Sequence, residues 1–448
     1  MDTRRGSWSA PLAVPRRPAL GRPLRLAGVW LALVLAFGAC SGPGPTATPT
    51  PTPAPAPSPT PSGPASSTPA PDPSILIDQI TDQVVAIRGL TLEAPIRSVV
   101  LDETAASQRI LAQFDADNPP DVLEPNRRLL VDLGLLPAGA DLRALYHELL
   151  ASQVAGFYDP KAKEMVVISK GAGLGPTERT TYAHEITHAL QDQHFGLEGL
   201  DIDAVGQGDR NLARLALVEG DATLVMTYWA QQNLNQQELL QLVQDAQDPK
   251  ALAVLQRMPA VLRESLLFPY TAGLQFVLAI EAQQGWPGVD AAFQQPPSST
   301  EQVLHPERFG IGSTPRDEPA AVTLPDGIVA RLGVGWTKAL EDTAGEFLLR
   351  LWLAQVGGLD DATATAAAAG WGGDRVALYE HGDRFGVVLA TSWDSAVDAA
   401  EFADAATTLV GRLDHPAAVV HGAGSSAVTV LIAVDAATLT DLRRAAAV

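Results

Sequence analysis

One cysteine in 448 residues excludes an intramolecular disulfide and any metal site built from several thiolates. Basic residues are scarce too: Lys and Arg number 31 against 51 Asp and Glu, a formal charge of −20. Six of the arginines (4, 5, 16, 17, 22 and 25) precede residue 39, and beyond it 25 bases face 50 acids. A body this acidic repels nucleic acid and anionic lipid head groups, so neither is an expected partner. Long apolar runs are also missing. Residues 26–37 (LAGVWLALVLAF) and 266–280, which contain Pro269, both fall short of the roughly 20 residues a bilayer-spanning helix needs. The 46% hydrophobic and 18% charged composition is that of a globular chain.

What the N-terminus does have is a cluster of arginines, then the short apolar run, then Phe37-Gly38-Ala39-Cys40. Basic residues followed by a short apolar core read as a secretory signal rather than a membrane span. Small residues before the chain's only cysteine resemble a bacterial lipoprotein signal, which implies cleavage before Cys40 and acylation of its thiol. Residues 1–39 are therefore expected to be the signal peptide. Residues 40–74 are a spacer, since 13 of the 35 prolines fall within 41–74 beside Ser, Thr, Ala and Gly. Such a composition builds no core and favours extended polyproline, which at about 3.1 Å per residue reaches up to ~100 Å from an anchor. The expected location is the extracytoplasmic side of a membrane, held by a lipid on Cys40.

The remainder divides into 75–310 and 311–448. Periodicity predicts helices at 75–85, 105–114, 142–150, 177–195 and 212–232, with more helix to about 284, and a short strand at 98–101. Two apolar runs around Asp159-Pro160 predict a β-hairpin, its second strand at 164–169. Residues 285–319, rich in Pro, Gly and Ser, read as irregular. Beyond them, helix is expected near 338–356 and from 395 and 435, with strands near 375–379, 385–391, 417–421 and 426–433. The fold class is α+β, with an α/β extension at the C-terminus.

The chemistry-bearing signal is His184-Glu185-Ile186-Thr187-His188. On a helix, residues four apart share a face, so both imidazoles can reach one metal ion while Glu185 stands beside it as a base. This is the zincin motif, and the expected cofactor is Zn2+. Two residues compete for third ligand. His194 stands ten after His184, but Gln191 occupies the position where a glycine must break the helix, and a continuous helix turns His194 away. Glu219, in Leu217-Val-Glu-Gly-Asp-Ala-Thr223 on a following helix, is the better candidate. Burial is costly for an unpaired carboxylate and tolerable for one on a metal. The arrangement resembles that of gluzincins, which often carry an Asp four residues after this Glu to orient a ligating His; here Thr223 stands there, and Asp221 lies at the wrong angle for that role.

The segments VAGFYDPKAKEMVV (154–167), HEITHALQDQHF (184–195), LVEGDAT (217–223), FPYTAGLQFV (268–277) and STEQVLHPERF (299–309) resemble a group of exported, gluzincin-like bacterial metallopeptidases. The resemblance implies a zincin-like domain over 75–310, with a sheet, an active-site helix and a mainly helical lower part. It also implies zinc on His184, His188 and Glu219, Glu185 as base and then acid, and a peptide or protein substrate. Strand 164–169 is the candidate edge along which an extended peptide would pair, an ordinary sheet strand being the other role open to it. Tyr270 and His305, each within the resemblance, are the candidate oxyanion donors, packing or loop anchoring being the other role open to them. The competing class is a non-catalytic envelope lipoprotein that uses the same fold for binding or assembly.

Overall fold

A computed structural model describes residues 30–31, 73–153, 156–168, 174–311 and 315–448. Cys40, the lipidation candidate, lies outside the described residues, as do almost all of the expected signal and spacer. The protein is α+β. The elements begin with β1 (Trp30–Leu31), α1 (Pro73–Arg88), β2 (Arg97–Leu101), α2 (Glu103–Asp117), α3 (Pro120–Asp132) and α4 (Leu142–Gln153). The hairpin β3 (Gly156–Asp159) and β4 (Glu164–Ile168) leads to α5 (Pro176–Phe195), α6 (Gly208–Asn233), α7 (Gln236–Asp245), α8 (Pro249–Arg257) and α9 (Ala260–Gln294). Short helices α10 (Thr300–Leu304) and α11 (Ile328–Leu332) precede β5 (Thr337–Asp342), α12 (Gly345–Gln355) and α13 (Asp361–Ala368). The chain ends with β6 (Trp371–His381), β7 (Arg384–Trp393), α14 (Ala396–Val410), β8 (Ala417–His421), β9 (Ala427–Ala433) and α15 (Ala436–Ala446).

Two sheets organise these elements. The smaller has the order β1-β3-β4-β2, with β2 parallel to β4 and the other pairs antiparallel. Strand β4 is therefore interior, and the expectation that 164–169 is a free edge is wrong: β2 pairs with it from Arg97 to Leu101. The outer ladder on the hairpin's other side belongs to β3, where Phe157 and Tyr158 pair with Leu31 and Trp30. The larger sheet is an antiparallel β5-β6-β7-β9-β8. Its edge strand β5 takes the first residues of the helix expected near 338–356, the rest of which is α12. Lys, Ala, Leu and Glu there favour helix on propensity, but pairing with β6 overrides it.

Residues 285–319 are also more regular than their composition predicts. Gly285, at φ 64, kinks α9, and Pro287 then starts a second helical run to Gln294, where its missing N–H costs nothing. The resulting helix is long and apolar enough by composition to cross a membrane, unlike the 15 residues that sequence singled out. Its middle is nonetheless core, with Phe276 and Val277 fully buried.

Two large apolar clusters form. One joins α5, α6 and α9 with α1 and β4, through Ile186, Leu217, Val225, Trp229 and Phe276. The other joins α2, α3, α4 and the hairpin to the larger sheet, and places Phe114, Leu129 and Phe157 in one core with Leu340, Trp352 and Trp371. The packing is thus continuous across residue 310.

Candidate metal centre

Helix α5 is built to be buried. Pro176 sits in its first turn, Gly196 at φ 66 closes its C-terminus, and every residue from Thr180 to Asp192 is buried. The hairpin lies directly on it. A Cβ on Gly156 would lie 3.1 Å from Thr181 Cγ2 and 4.0 Å from Glu185 Cγ, so the absence of a side chain lets β3 approach the helix.

His184 and His188 project from one face of α5 toward Glu219 on α6. The two Nε2 atoms are 3.0 Å apart, and Glu219 Oε2 lies 3.1 Å from His184 Nε2 and 3.4 Å from His188 Nε2. Ligands about 2.1 Å from a tetrahedral zinc stand about 3.4 Å from one another, so two nitrogens and one oxygen at these separations suit such an ion. His184, His188 and Glu219 could hold a metal ion. None of the three is more than 1% exposed, and Glu185 is equally buried. Burial opposes charge on Glu219, but the attraction of His188 and hydrogen bonds from both rings outweigh it and hold the carboxyl below its ordinary range. Burial pulls His184 down, whereas for His188 the same burial is overcome by the charges of Glu219 and Glu185.

Behind His188 runs a chain of buried polar groups. His188 Nδ1 lies 2.9 Å from Gln191 Oε1. Gln191 Nε2 donates to Asp221 Oδ2 at 2.9 Å and to Val218 O at 3.0 Å. Asp221 in turn accepts from Arg88 Nε on α1, which pairs through Nη2 with Asp290 at 2.7 Å. The Arg88 guanidinium lies 4.7 Å from the Trp286 ring centroid. Sequence spacing finds Gln191 only as a missing glycine, and correctly shows that Asp221 cannot face the ligands with Glu219. It misses that Asp221 faces Gln191 instead. Thr223 Oγ1 and His184 Nδ1 are both buried without a hydrogen-bond partner among the described residues, so Thr223 does not orient His184 by direct contact.

The other candidates separate. Tyr270 on α9 stacks near His184, ring centroids 6.3 Å apart. His305 instead places Nε2 2.9 Å from Glu346 Oε1 at the start of α12. That hydrogen bond, with the charge of Glu346, raises its pKa. His194 turns to Thr91 O at 2.7 Å, at the end of α5 and away from the ligands. A second group of acids, Glu301, Asp317 and Asp394, surrounds Arg308 Nη1 at 3.3, 2.5 and 2.6 Å, so a guanidinium already supplies the positive charge there. Glu301 is nonetheless pushed up to about 8, by burial above all.

Residues 332–445, the larger sheet and its helices, match the family model of a domain of unknown function, DUF8575. None of the curated proteins matches the chain. Among solved structures, one described as a presumed hydrolase with a novel fold from Chloroflexus aurantiacus is 18% identical, over 53% of this chain and 87% of that one, with a TM-score of 0.35. A likeness so remote speaks for neither the fold nor the chemistry of this protein.

Proposed function

We propose that the chain is a zinc-dependent endopeptidase working outside the cytoplasm from a lipid anchor on Cys40. The observation that supports it is the convergence of His184 Nε2, His188 Nε2 and Glu219 Oε2 within 3.4 Å, with Glu185 on the adjoining residue. Bound there, zinc would supply a Lewis acid for a carbonyl and a water acidic enough to lose its proton near neutral pH. Glu185 would receive that proton and return it to the departing amine, and a structural metal site has no need of such a neighbour. Glu185 also lines a small cavity with Gly156, Met165 and Thr181, which sets it against the hairpin. Tyr270, beside His184, is the better placed of the two oxyanion candidates.

An extended peptide would pair with β3 rather than β4, since β3 carries the sheet's outer ladder on the side next to Glu185. Trp30–Leu31 holds that ladder in the unprocessed chain, and cleavage before Cys40 would remove it.

The test is zinc content of the purified protein beside Glu219→Ala and His194→Ala variants. About one zinc per chain is expected, sharply weakened by losing Glu219 and unaffected by losing His194. A peptide library then separates the two classes. Hydrolysis that disappears in Glu185→Gln supports the enzyme, whereas peptide binding without cleavage would leave the chain as a binding module.

A further inference from the structure

A chain of hydrogen bonds links His188 through Gln191 to a residue pair that begins 100 residues earlier in the sequence. Gln191 Nε2 faces Val218 O and an Asp221 carboxylate oxygen, both of which only accept. Its amide nitrogen must therefore lie on that side, and its oxygen must face His188 Nδ1. An amide oxygen cannot donate, so Nδ1 carries a proton, and Nε2, beside His184 Nε2 and Glu219 Oε2, is the nitrogen left to offer a lone pair to a metal. Asp221 is fixed in turn by Arg88 Nε, 2.9 Å from Oδ1 and 3.1 Å from Oδ2. His188, Gln191, Asp221 and Arg88 are each 0% exposed, so no bulk water substitutes for a lost partner.

Resting on the metal reading above, we propose that Gln191, held by the Asp221–Arg88 pair, is the positioning residue that sets the tautomer and ring orientation of His188. Arg88 ends α1, the first folded helix after the proline-rich spacer, so the pair ties that helix to the ligand set. The same network explains why Gln191 can stand where a third His ligand from α5 would need a helix-breaking glycine. The third ligand comes from α6, and α5 has no need to break.

The test uses the full chain and two metals. Gln191→Met keeps the side-chain length but neither accepts from Nδ1–H nor donates to Asp221. Partners of metal-ligating histidines typically contribute 10- to 100-fold in affinity. Chelator competition should therefore show zinc bound about 10- to 100-fold more weakly, with unchanged far-UV circular dichroism. The cobalt-substituted variant should show a shifted visible spectrum, because a reoriented imidazole changes the ligand field. Equal zinc affinity and an identical cobalt spectrum in a folded variant would overturn the proposal and leave the metal reading intact. A wild-type protein that binds no zinc would overturn both. Should Gln191→Met fail to fold, nitrogen-15 shifts of His188 in the zinc-loaded wild type decide: a proton on Nδ1 is expected, and one on Nε2 would refute the assignment.

Discussion

Gly220 and Gly273 meet backbone to backbone where α6 crosses α9. A Cβ on Gly220 would lie 2.2 Å from Gly273 O, and one on Gly273 would lie 2.2 Å from Ala216 O. These contacts are closer than any side chain allows, so the two helices pack at a distance only glycine permits. Glu219 is the residue before Gly220, and Tyr270 lies one turn before Gly273. The crossing therefore sets how far the Glu219 carboxylate stands from the ring that stacks near His184.

Gly273→Ala should force α9 off α6. Overpacking a filled interior typically costs about 1–3 kcal/mol, and here the clash is with backbone that cannot rotate away. A lowered melting temperature is expected, together with weaker zinc binding, because Ala216 and Glu219 belong to the same helix. A variant that melts and binds metal like the parent would show that the helices can separate without cost.

The junction between the helical part and the larger sheet should weaken as pH rises. Asp374, accepting from Ala344 and Gly345 N–H groups, is nonetheless raised to about 6 by burial. Asp209, which Thr300 holds, is raised well above its usual range, by burial first and then by the charges of Asp374 and Glu346. In the unfolded chain both ionise near pH 4, so from there upward the unfolded state sheds protons that the folded state keeps, and stability falls. For Asp374 the loss between pH 4 and 6 amounts to about 3 kcal/mol at about 1.4 per pH unit. His305 acts in the same direction at higher pH. Its raised pKa means that the stabilisation from Glu346 is complete below about 6.5 and is lost as pH climbs through the folded value. Urea denaturation from pH 4 to 8 should show this decline. Asp374→Asn should flatten its acidic half, at a lower absolute stability because one backbone N–H loses its acceptor.

The continuous core makes a third expectation. Trp352 Nε1 donates to Leu133 O at 2.7 Å, and Trp352 shares its cluster with Phe114 and Leu129. A fragment ending at residue 310 would expose that face and lose the hydrogen bond. Its near-ultraviolet circular dichroism should be weakened by the loss of fixed packing around Phe114, Tyr146 and Phe157, and its unfolding should be less cooperative than that of the chain from 75 to 448. A well-packed, cooperative 75–310 fragment would refute this reading of the core.

The three residues of the candidate metal centre are legible because their geometry is local or carried by helix period: His184 and His188 follow from a spacing of four, and Glu219 from a carboxylate set in an apolar helix. Gln191 is not, since its meaning lies in Asp221, thirty residues on, and in Arg88 on a third helix. No spacing rule connects them. Propensity likewise misplaces the first residues of the helix expected near 338–356, where the sheet partner decides, and the helix at Pro120–Asp132, which Pro120 opens in the position proline tolerates best, was not among those expected. The hairpin was found, but which strand lies at the edge was not, because β2 joins it from more than 60 residues earlier.

Glu185→Gln separates catalysis from metal binding. The substitution keeps the volume of a residue that is 1% exposed and packs against Gly156, so the helix should hold its place. It removes the acceptor for a water proton while leaving His184, His188 and Glu219 untouched. The expected result is zinc content like the wild type with peptide hydrolysis lowered at least about 10²-fold, the lower range for loss of a general base. The pH dependence sharpens the test. If Glu185 is the base, the acidic limb of the wild-type profile should vanish from the residual activity of the variant. Retained hydrolysis with an unchanged limb would assign the base to another group, and zinc lost along with activity would mean that Glu185 supports the ligands rather than the reaction.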